Sequence, residues 1–266
     1  MSFLDDLRYC VEYLAKERFG EDGALELLES AGSDEDVLFN AYRNLVNVRE
    51  PRDASEEFFQ AQDTMLHEMA KSKGVVYAEG LEPTKRDMRI SIWRGDITAL
   101  SADAIVNAAN SQMLGCWVPG HYCIDNAIHT FAGVQLRQKC ARLMREQGHE
   151  EPTGQAKSTP AYNLPSRHVI HTVGPIANGN PTEEDKKLLA SSYESCLDEA
   201  MRLGCKTIAF CCISTGVFGF PQRKAAKIAV CTVTEWLDAH PESSMRVIFN
   251  VFTEEDEGIY HELLDE

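Results

Sequence analysis

From Met88 to the end of the chain, short apolar segments alternate with amphipathic helical segments, and few folds accommodate this alternation. Residues 207–213 are almost wholly apolar, which is typical of a strand buried on both faces. The other predicted strands are residues 88–93, 103–107, 157–161, 167–173 and 245–252. The predicted helices are residues 124–147, 182–204, 221–240 and 254–264. This order predicts an α/β fold with a mostly parallel sheet and helices on both faces.

The first part of the chain has a different pattern. Residues 2–73 contain four apolar patterns of helical spacing, at residues 4–14, 24–28, 37–45 and 58–69. A chain of 266 residues is long enough for one large core and an accessory domain. We therefore expect a small all-helical domain at residues 1–78, followed by the α/β domain at residues 79–266. The helical domain is expected to pack as a cap on the main domain, and substrate docking is the alternative.

The charge of the chain limits its partners. The formal net charge is −16 and the sequence pI is about 4.9, which disfavours nonspecific binding to nucleic acid or to anionic membranes. An anionic ligand would have to be held locally, by backbone N–H groups, helix N-termini or a metal ion. No apolar segment approaches the roughly 18 residues of a membrane span. We expect neither a nucleic-acid nor a membrane partner.

The cysteines indicate a reducing compartment. The chain has nine of them, an odd number, and Cys211 and Cys212 are adjacent in an apolar segment. This distribution does not suit a disulfide framework in a chain of this length. The first residues are acidic and lack the basic and apolar regions of a secretory signal. We therefore expect a cytoplasmic protein.

Residues 115–123, here called the Cys/His loop, carry two thiols and an imidazole directly before a predicted helix. Cys116, His121 and Cys123 are ligand types that Zn²⁺ prefers, and no fourth cysteine or histidine is close enough in sequence to close a structural site. His129 lies too far along the helix and is left out of the ligand set. The pattern predicts a three-ligand zinc site with an open position. The alternatives are two small buried cysteines or a Cys116–Cys123 disulfide, which a reducing compartment disfavours.

A second loop, residues 214–220, connects the buried strand to a helix that is predicted to begin at Pro221. Its glycines and hydroxyl groups lie at a strand-to-helix junction, where free backbone N–H groups can hold a phosphate. Similar glycine turns also join strands to helices where no ligand binds. The loop alone therefore leaves phosphate binding open.

Five segments, taken in order, resemble the macrodomain family. They are residues 93–98 (WRGDIT), 103–110 (DAIVNAAN), 116–133, 171–175 (HTVGP) and 213–219 (ISTGVFG). The resemblance covers roughly residues 88–265. It implies a three-layer α/β/α macrodomain with a mixed, mostly parallel sheet that binds ADP-ribose, preceded here by the helical N-terminal segment.

The resemblance also implies roles for particular residues. Asp96 would accept a hydrogen bond from the adenine amine, and Ile97 would lie along the adenine pocket. Asn107 and Asn110 would face the distal ribose, and Asp125 would be the acid that hydrolytic macrodomains carry before their helix. A run of consecutive residues would wrap the diphosphate: Ser214, Thr215, Gly216, Val217 and Phe218.

The Cys/His loop departs from the usual family pattern, because hydrolytic macrodomains have a run of glycines there. In this respect the chain resembles a zinc-dependent subgroup of microbial macrodomains, which also carries an N-terminal helical extension. That resemblance implies one Zn²⁺ per chain, held by Cys116, His121 and Cys123. It further implies a mono-ADP-ribosylated protein as substrate, and relatives in the subgroup are associated with lipoyl-carrier proteins.

The function expected from these observations is hydrolysis of the bond between the distal ribose C1″ and a protein side chain, which releases ADP-ribose. Zinc would polarise a ribose hydroxyl or lower the pKa of a bound water from about 16 to about 7. Asp125 would orient that water or take its proton, and Asn107 or Asn110 would fix the ribose.

Other interpretations stay open at this point. Asp125 could serve only as an acid that complements the helix dipole, and Asn110 could be a turn residue. The whole protein could be a reader that binds ADP-ribose without cleaving it, or a hydrolase of free ADP-ribose derivatives. The metal could be purely structural, in which case its removal would lower affinity and turnover together.

Overall fold

The computed structural model describes residues 2–265, which form eight α-helices and eight strands. The helices are α1 (Phe3–Ala31), α2 (Glu35–Val48), α3 (Glu56–Lys73), α4 (Ile124–Ala132), α5 (Val134–Gln147), α6 (Glu183–Arg202), α7 (Gln222–Ala239) and α8 (Glu254–Leu264). The strands are β1 (Val76–Tyr77), β2 (Ile90–Arg94), β3 (Leu100–Ser101), β4 (Ala104–Ala108), β5 (Ala156–Pro160), β6 (His168–Thr172), β7 (Thr207–Phe210) and β8 (Arg246–Val251).

Six strands form the main sheet, in the order β2-β8-β7-β4-β6-β5. All neighbouring pairs are parallel except β5 and β6, which are antiparallel. Helix α7 packs against both α6 and α8, and α4 packs against α5. The predicted three-layer α/β/α fold with a mixed, mostly parallel sheet is confirmed. β1 and β3 form a separate two-stranded parallel sheet that the sequence pattern did not predict.

The predicted helix at residues 124–147 is wrong in one respect, because the segment forms two helices separated by Gly133. This glycine has φ 89° and ψ 173°. This backbone conformation is not helical, and residues other than glycine rarely adopt it. Similarly, α7 begins at Gln222, and Pro221 is the capping residue before it. At the N-terminus, the first two helical patterns are joined in α1, which is interrupted at Gly20.

The apolar side chains form two clusters. One lies among α1, α2 and α3 and includes Leu7, Leu38, Phe58 and Met65. The other surrounds the main sheet, and the partly buried Phe131 of α4 packs against both. The predicted domain boundary at residue 78 stays a prediction. Within residues 2–265, no helix has both the length and the apolar character needed to cross a membrane.

Candidate active site

The site residues predicted from the sequence lie at or beyond the carboxyl ends of the parallel strands, where ligands bind in sheets of this kind. β4 is followed by the segment that leads to the Cys/His loop, and β7 is followed by the loop of residues 214–220. β6 lies beside β4 and brings His171 next to Asn107 in register. Because β4 and β7 are adjacent and parallel, the two predicted loops that follow them lie at the same edge of the sheet.

Asn107 and Asp125 form a buried pair at this edge. The side chain of Asn107 is fully buried, and its Nδ2 donates to Asp125 Oδ1 at 2.8 Å. The same Nδ2 lies 3.1 Å from His171 Nδ1. Among the described residues, Asn107 Oδ1 has no hydrogen-bond partner. The amide therefore keeps one buried acceptor available at the site.

Asp125 lies in the first turn of α4, and only 6% of the residue is exposed. Burial raises the pKa of its carboxyl to about 6, although the hydrogen bond from Asn107 and the positive charge of Arg137 act in the opposite direction. His129 Nε2 lies 3.6 Å from Asp125 Oδ1. Burial also holds the pKa of His129 well below its usual value, so its imidazole is neutral near pH 7.

The Cys/His loop brings its three predicted ligands together. The donor atoms of Cys116, His121 and Cys123 all lie within 4.8 Å of one another, and Cys116 Sγ is 3.6 Å from His121 Nδ1. A tetrahedral Zn²⁺ bound at about 2.3 Å from sulfur and about 2.0–2.1 Å from nitrogen requires a separation of about 3.6 Å. The residues fit the ion. His129 belongs to a different buried group, with Cys140 and His171.

Arg137 supports this loop, although no motif in the sequence indicated it. Its guanidinium donates to Leu114 O at 2.6 Å and to Cys116 O at 3.3 Å, and lies 4.2 Å from the centre of the Trp117 ring. The same group donates to three backbone carbonyls at the end of α2, those of Val46, Asn47 and Arg49. A buried arginine with carbonyl partners so far away in sequence leaves no local pattern that could have revealed it.

The predicted adenine site contains an unexpected ion pair. Asp96 Oδ1 accepts from Thr98 N and Thr98 Oγ1 at 2.9 and 2.6 Å, and Asp96 Oδ2 accepts from Lys73 Nζ at 2.9 Å. Burial raises the pKa of Asp96, but the hydrogen bonds from Thr98 and Lys73 outweigh it, and the pKa is lower than usual. Ile97, the neighbouring predicted residue, is 1% exposed and belongs to the sheet core. The sequence had no signal for Lys73, the last residue of α3.

In the predicted diphosphate loop, Ser214 has a positive φ of 66° and is buried, and its Oγ has no partner among the described residues. Thr215 N donates to Cys212 O, and Gly219 N donates to Gly216 O. In the described part of the chain, no backbone carbonyl accepts from the three N–H groups between them, those of Gly216, Val217 and Phe218. Val217 itself is 78% exposed. Three free N–H groups in one turn suit an anion.

Asn110 is engaged within its own turn. Its Nδ2 donates to Gly115 O at 3.2 Å, and its Oδ1 accepts from Gln112 N at 3.1 Å. These contacts agree with the turn role that the sequence analysis left open, and they also tie the beginning of the Cys/His loop to the end of β4. A contact between Asn110 and a ribose stays a prediction.

Comparison with known proteins is consistent with this geometry. Residues 106–229 match the Macro domain family. A protein-ADP-ribose hydrolase of Treponema medium is 52% identical over 258 residues, which are 96% of this chain and 97% of that protein. A protein-ADP-ribose hydrolase of Staphylococcus aureus (strain MSSA476) is 47% identical over 253 residues, 95% of this chain and 94% of that protein.

A solved structure has the same fold. The crystal structure of the Trypanosoma brucei macrodomain in complex with ADP-ribose superposes with a TM-score of 0.65 at 30% sequence identity, and covers 83% of this chain and 94% of that one. The fold, the order of the motifs and a relative that matches almost end to end agree with one another. The chain belongs to the macrodomain family.

Proposed function

We propose that this protein is a zinc-dependent hydrolase that removes mono-ADP-ribose from modified protein side chains and releases ADP-ribose. The observation that carries the proposal is that the Cys116, His121 and Cys123 group directly precedes Asp125 in the chain. Asp125 in turn accepts a hydrogen bond from the buried Asn107. A protein that only binds ADP-ribose needs no open zinc site beside a buried acid. The relatives named protein-ADP-ribose hydrolase support the same activity.

In this proposal the ligand extends along the edge of the sheet. The adenine lies at Asp96 and Ile97, and the distal ribose lies at Asn107, Asn110 and Asp125. The diphosphate lies on the second loop, at Ser214, Thr215, Gly216, Val217 and Phe218. The free N–H groups of that loop support this position, because a chain of net charge −16 has to hold an anion through local donors.

The protein residues divide the chemistry between them. The unpartnered Oδ1 of Asn107 accepts a hydrogen bond from a ribose hydroxyl, which orients the sugar. Asp125 orients the attacking water or takes its proton. When bound by Cys116, His121 and Cys123, Zn²⁺ would supply Lewis-acid polarisation or a lower pKa for water.

Two further parts of the proposal concern the modified substrate and the location of the protein. A lipoyl-carrier protein as the modified substrate rests on the resemblance to the zinc-dependent subgroup alone, and is tested by comparing release from such a carrier with release from unrelated modified proteins. A cytoplasmic location is supported by the nine cysteines, none of which forms a disulfide in the structure.

The experiment that tests the function measures release of ADP-ribose from a mono-ADP-ribosylated protein by the purified chain, as isolated and after chelation. Zinc content and ADP-ribose affinity are measured on the same samples. We expect about one zinc per chain, turnover that disappears with the metal, and ADP-ribose binding that persists without it.

Each other outcome identifies a different error. Tight binding without release in either sample, across several acceptor linkages, would make the protein a reader. Turnover that persists after complete removal of zinc would support the hydrolase activity and contradict its dependence on zinc. Parallel loss of turnover and affinity would make the zinc structural.

A further inference from the structure

Helix α2 of the N-terminal segment contacts the Cys/His loop through Asn47, which is 1% exposed. Asn47 Oδ1 accepts from Gly120 N at 3.0 Å and from Asn126 Nδ2 at 2.8 Å. Its Nδ2 donates to Thr130 Oγ1 of α4 at 3.1 Å. One buried amide therefore connects α2 to the turn between the predicted ligands and to the helix that follows them.

One helical turn earlier, Arg43 makes a second set of contacts with the same region. Its guanidinium donates to His121 O at 2.9 Å and to Asn126 Oδ1 at 3.2 and 3.1 Å. It also lies 5.0 Å from the centre of the Tyr122 ring. Arg43 therefore holds the backbone of a predicted zinc ligand directly.

Asn126 links both α2 residues to the ligands. Its Nδ2 donates to Val118 O at 3.1 Å as well as to Asn47, and its backbone N–H donates to Cys123 Sγ at 3.4 Å. This N–H···S hydrogen bond fixes the direction of the Cys123 side chain. The contacts thus run from α2 through Asn126 to a ligand atom.

The turn at Gly120 is also fitted to α2. Gly120 has φ 64°, and a Cβ at this position would lie 3.0 Å from Asn44 Oδ1 of α2. Two glycines, Gly115 and Gly120, make the backbone of residues 115–123 variable in conformation, so the chain loses entropy when three ligands are held in one arrangement. Contacts from outside the loop reduce the entropy that metal binding still has to overcome.

We propose that Asn47 and Arg43 are positioning residues for the metal, and that the N-terminal helical segment holds the Cys/His loop in the geometry that retains zinc. This inference rests on the proposed zinc site and assigns a role to a segment in which the sequence revealed no chemistry. Groups that orient metal ligands typically change metal affinity by about 10- to 100-fold when they are removed. The effect on zinc is expected to be large while the adenine and diphosphate contacts, which involve other residues, stay intact.

The test measures the rate at which zinc leaves the folded, full-length protein in the presence of excess coloured chelator. We expect Asn47→Ala to release zinc at least about 10-fold faster than the unaltered chain. ADP-ribose affinity, measured calorimetrically on the same samples, should change by less than about 2-fold. Asn40→Ala is the matched control, because Asn40 is an exposed asparagine on the same helix, and it should leave both quantities unchanged.

Two more variants keep the test informative if Asn47→Ala does not fold. Asn47→Asp keeps an acceptor for Gly120 N–H and should retain zinc better than Asn47→Ala does. Arg43→Met keeps the apolar part of a half-buried side chain and should also release zinc faster, even if Asn47→Ala does not fold. Zinc release at the unaltered rate in both Asn47→Ala and Arg43→Met would overturn this inference alone. Absence of zinc from the unaltered chain would overturn the zinc proposal and this inference together.

Discussion

The side-chain amide of Asn107 illustrates how single residues prepare this site. Its NH₂ group donates a hydrogen bond to Asp125 and lies next to His171. Its carbonyl oxygen is buried without a partner among the described residues. Leaving a buried acceptor unpaired costs about 1–3 kcal/mol. An unpaired buried acceptor of this kind is expected where a bound ligand supplies the missing hydrogen-bond donor. The proposed contact with a ribose hydroxyl gives this oxygen its partner.

Asp125→Asn separates chemistry from binding at this scale. The substitution keeps the size of the side chain and an oxygen that can accept from Asn107 Nδ2, but it removes the proton acceptor. We expect the turnover number for release of ADP-ribose to fall about 10²- to 10⁴-fold, the usual contribution of a general acid or base. ADP-ribose affinity and zinc content should be retained. Turnover within a factor of about two of the unaltered chain would remove Asp125 from the chemistry.

Asp96→Ala tests the predicted adenine site. The loss of a hydrogen bond to a charged group should weaken ADP-ribose binding by about 1.5–3 kcal/mol, measured by calorimetry. The variant also loses the acceptor for Thr98 N and the partner of Lys73, so the thermal unfolding midpoint should fall as well. Asp96→Asn keeps an acceptor for Thr98 and distinguishes the two effects. Unchanged affinity in Asp96→Ala would exclude this carboxylate from the adenine site.

At the scale of elements, the break between α4 and α5 organises the site. Gly133 caps the end of α4 and the beginning of α5, and its backbone angles interrupt the helical path between them. α4 then presents Asp125 at its first turn, while α5 directs Arg137 to the Cys/His loop and to the end of α2. A continuous helix through residues 124–147 would not have this geometry, because its side chains would follow a single axis.

Gly133→Ala should therefore destabilise the protein. The φ and ψ angles of Gly133 are nearly exclusive to glycine, and a Cβ would lie 2.6 Å from Gln62 Nε2 and 2.7 Å from Gln135 Oε1. These two side chains are hydrogen-bonded to each other at 2.7 Å, so relief of the contact would disturb a partly buried hydrogen bond. We expect the free energy of unfolding in urea to fall by about 3 kcal/mol, at the upper end of the range for such strain.

The control for this prediction is Gly148→Ala, at the end of α5. Gly148 also has a positive φ, of 78°, but a Cβ there would meet nothing within 4 Å. Its replacement should cost only about 1 kcal/mol. Equal losses in the two variants would show that the contacts around Gly133 contribute nothing beyond backbone strain.

At the scale of the whole molecule, polar contacts as well as apolar packing join the N-terminal helices to the part of the chain that contains the main sheet. Arg137 reaches three carbonyls of the N-terminal segment, Asn47 reaches the Cys/His loop, and Lys73 reaches Asp96. The helical segment therefore contacts the Cys/His loop and the predicted adenine residue, at two separate places in the site. Beneath the site, the buried imidazoles of His129 and His171 lie 6.1 Å apart, centre to centre.

These buried histidines predict acid sensitivity of folding. Burial lowers the pKa of His171 to about 3, so the unfolded chain takes up a proton first as the pH falls below about 6.5. The free energy of unfolding should fall by about 1.4 kcal/mol per pH unit for this group between about pH 6 and pH 4. His129 has the same sign, whereas the raised pKa of Asp125 has the opposite sign over part of the range.

Comparison with His171→Asn isolates this contribution. Of the groups that face His171, Cys140 and His129 are ionisable, Asn107 and Thr159 are neutral, and Asp125 lies beyond Asn107. The difference in slope between the two proteins, measured by urea unfolding at several pH values, should approach that of one histidine. Identical slopes would mean that His171 is protonated as easily in the folded protein as in the unfolded chain.

The sequence alone determined the fold class and the most local part of the site. Buried parallel strands are apolar along their length, and their alternation with helices leaves one common architecture, so the six strands of the main sheet were predicted within a few residues. Cys116, His121 and Cys123 were recognised because all three lie within a short loop, where spacing along the chain limits spacing in the protein. The roles assigned by resemblance to the family, including those of Asn107 and Asp125, stay predictions.

The tertiary structure alone decided what surrounds those residues. Lys73 and Asp96 are 23 positions apart, Asn47 and Gly120 are 73 apart, and Arg137 and Val46 are 91 apart. Hydrogen bonds across such separations depend on how whole elements pack, and a polar side chain has the same appearance in the sequence whether it faces water or another helix. The break at Gly133 is of the same kind, because a glycine within an apolar periodicity is compatible with a continuous helix until its neighbours in space are known.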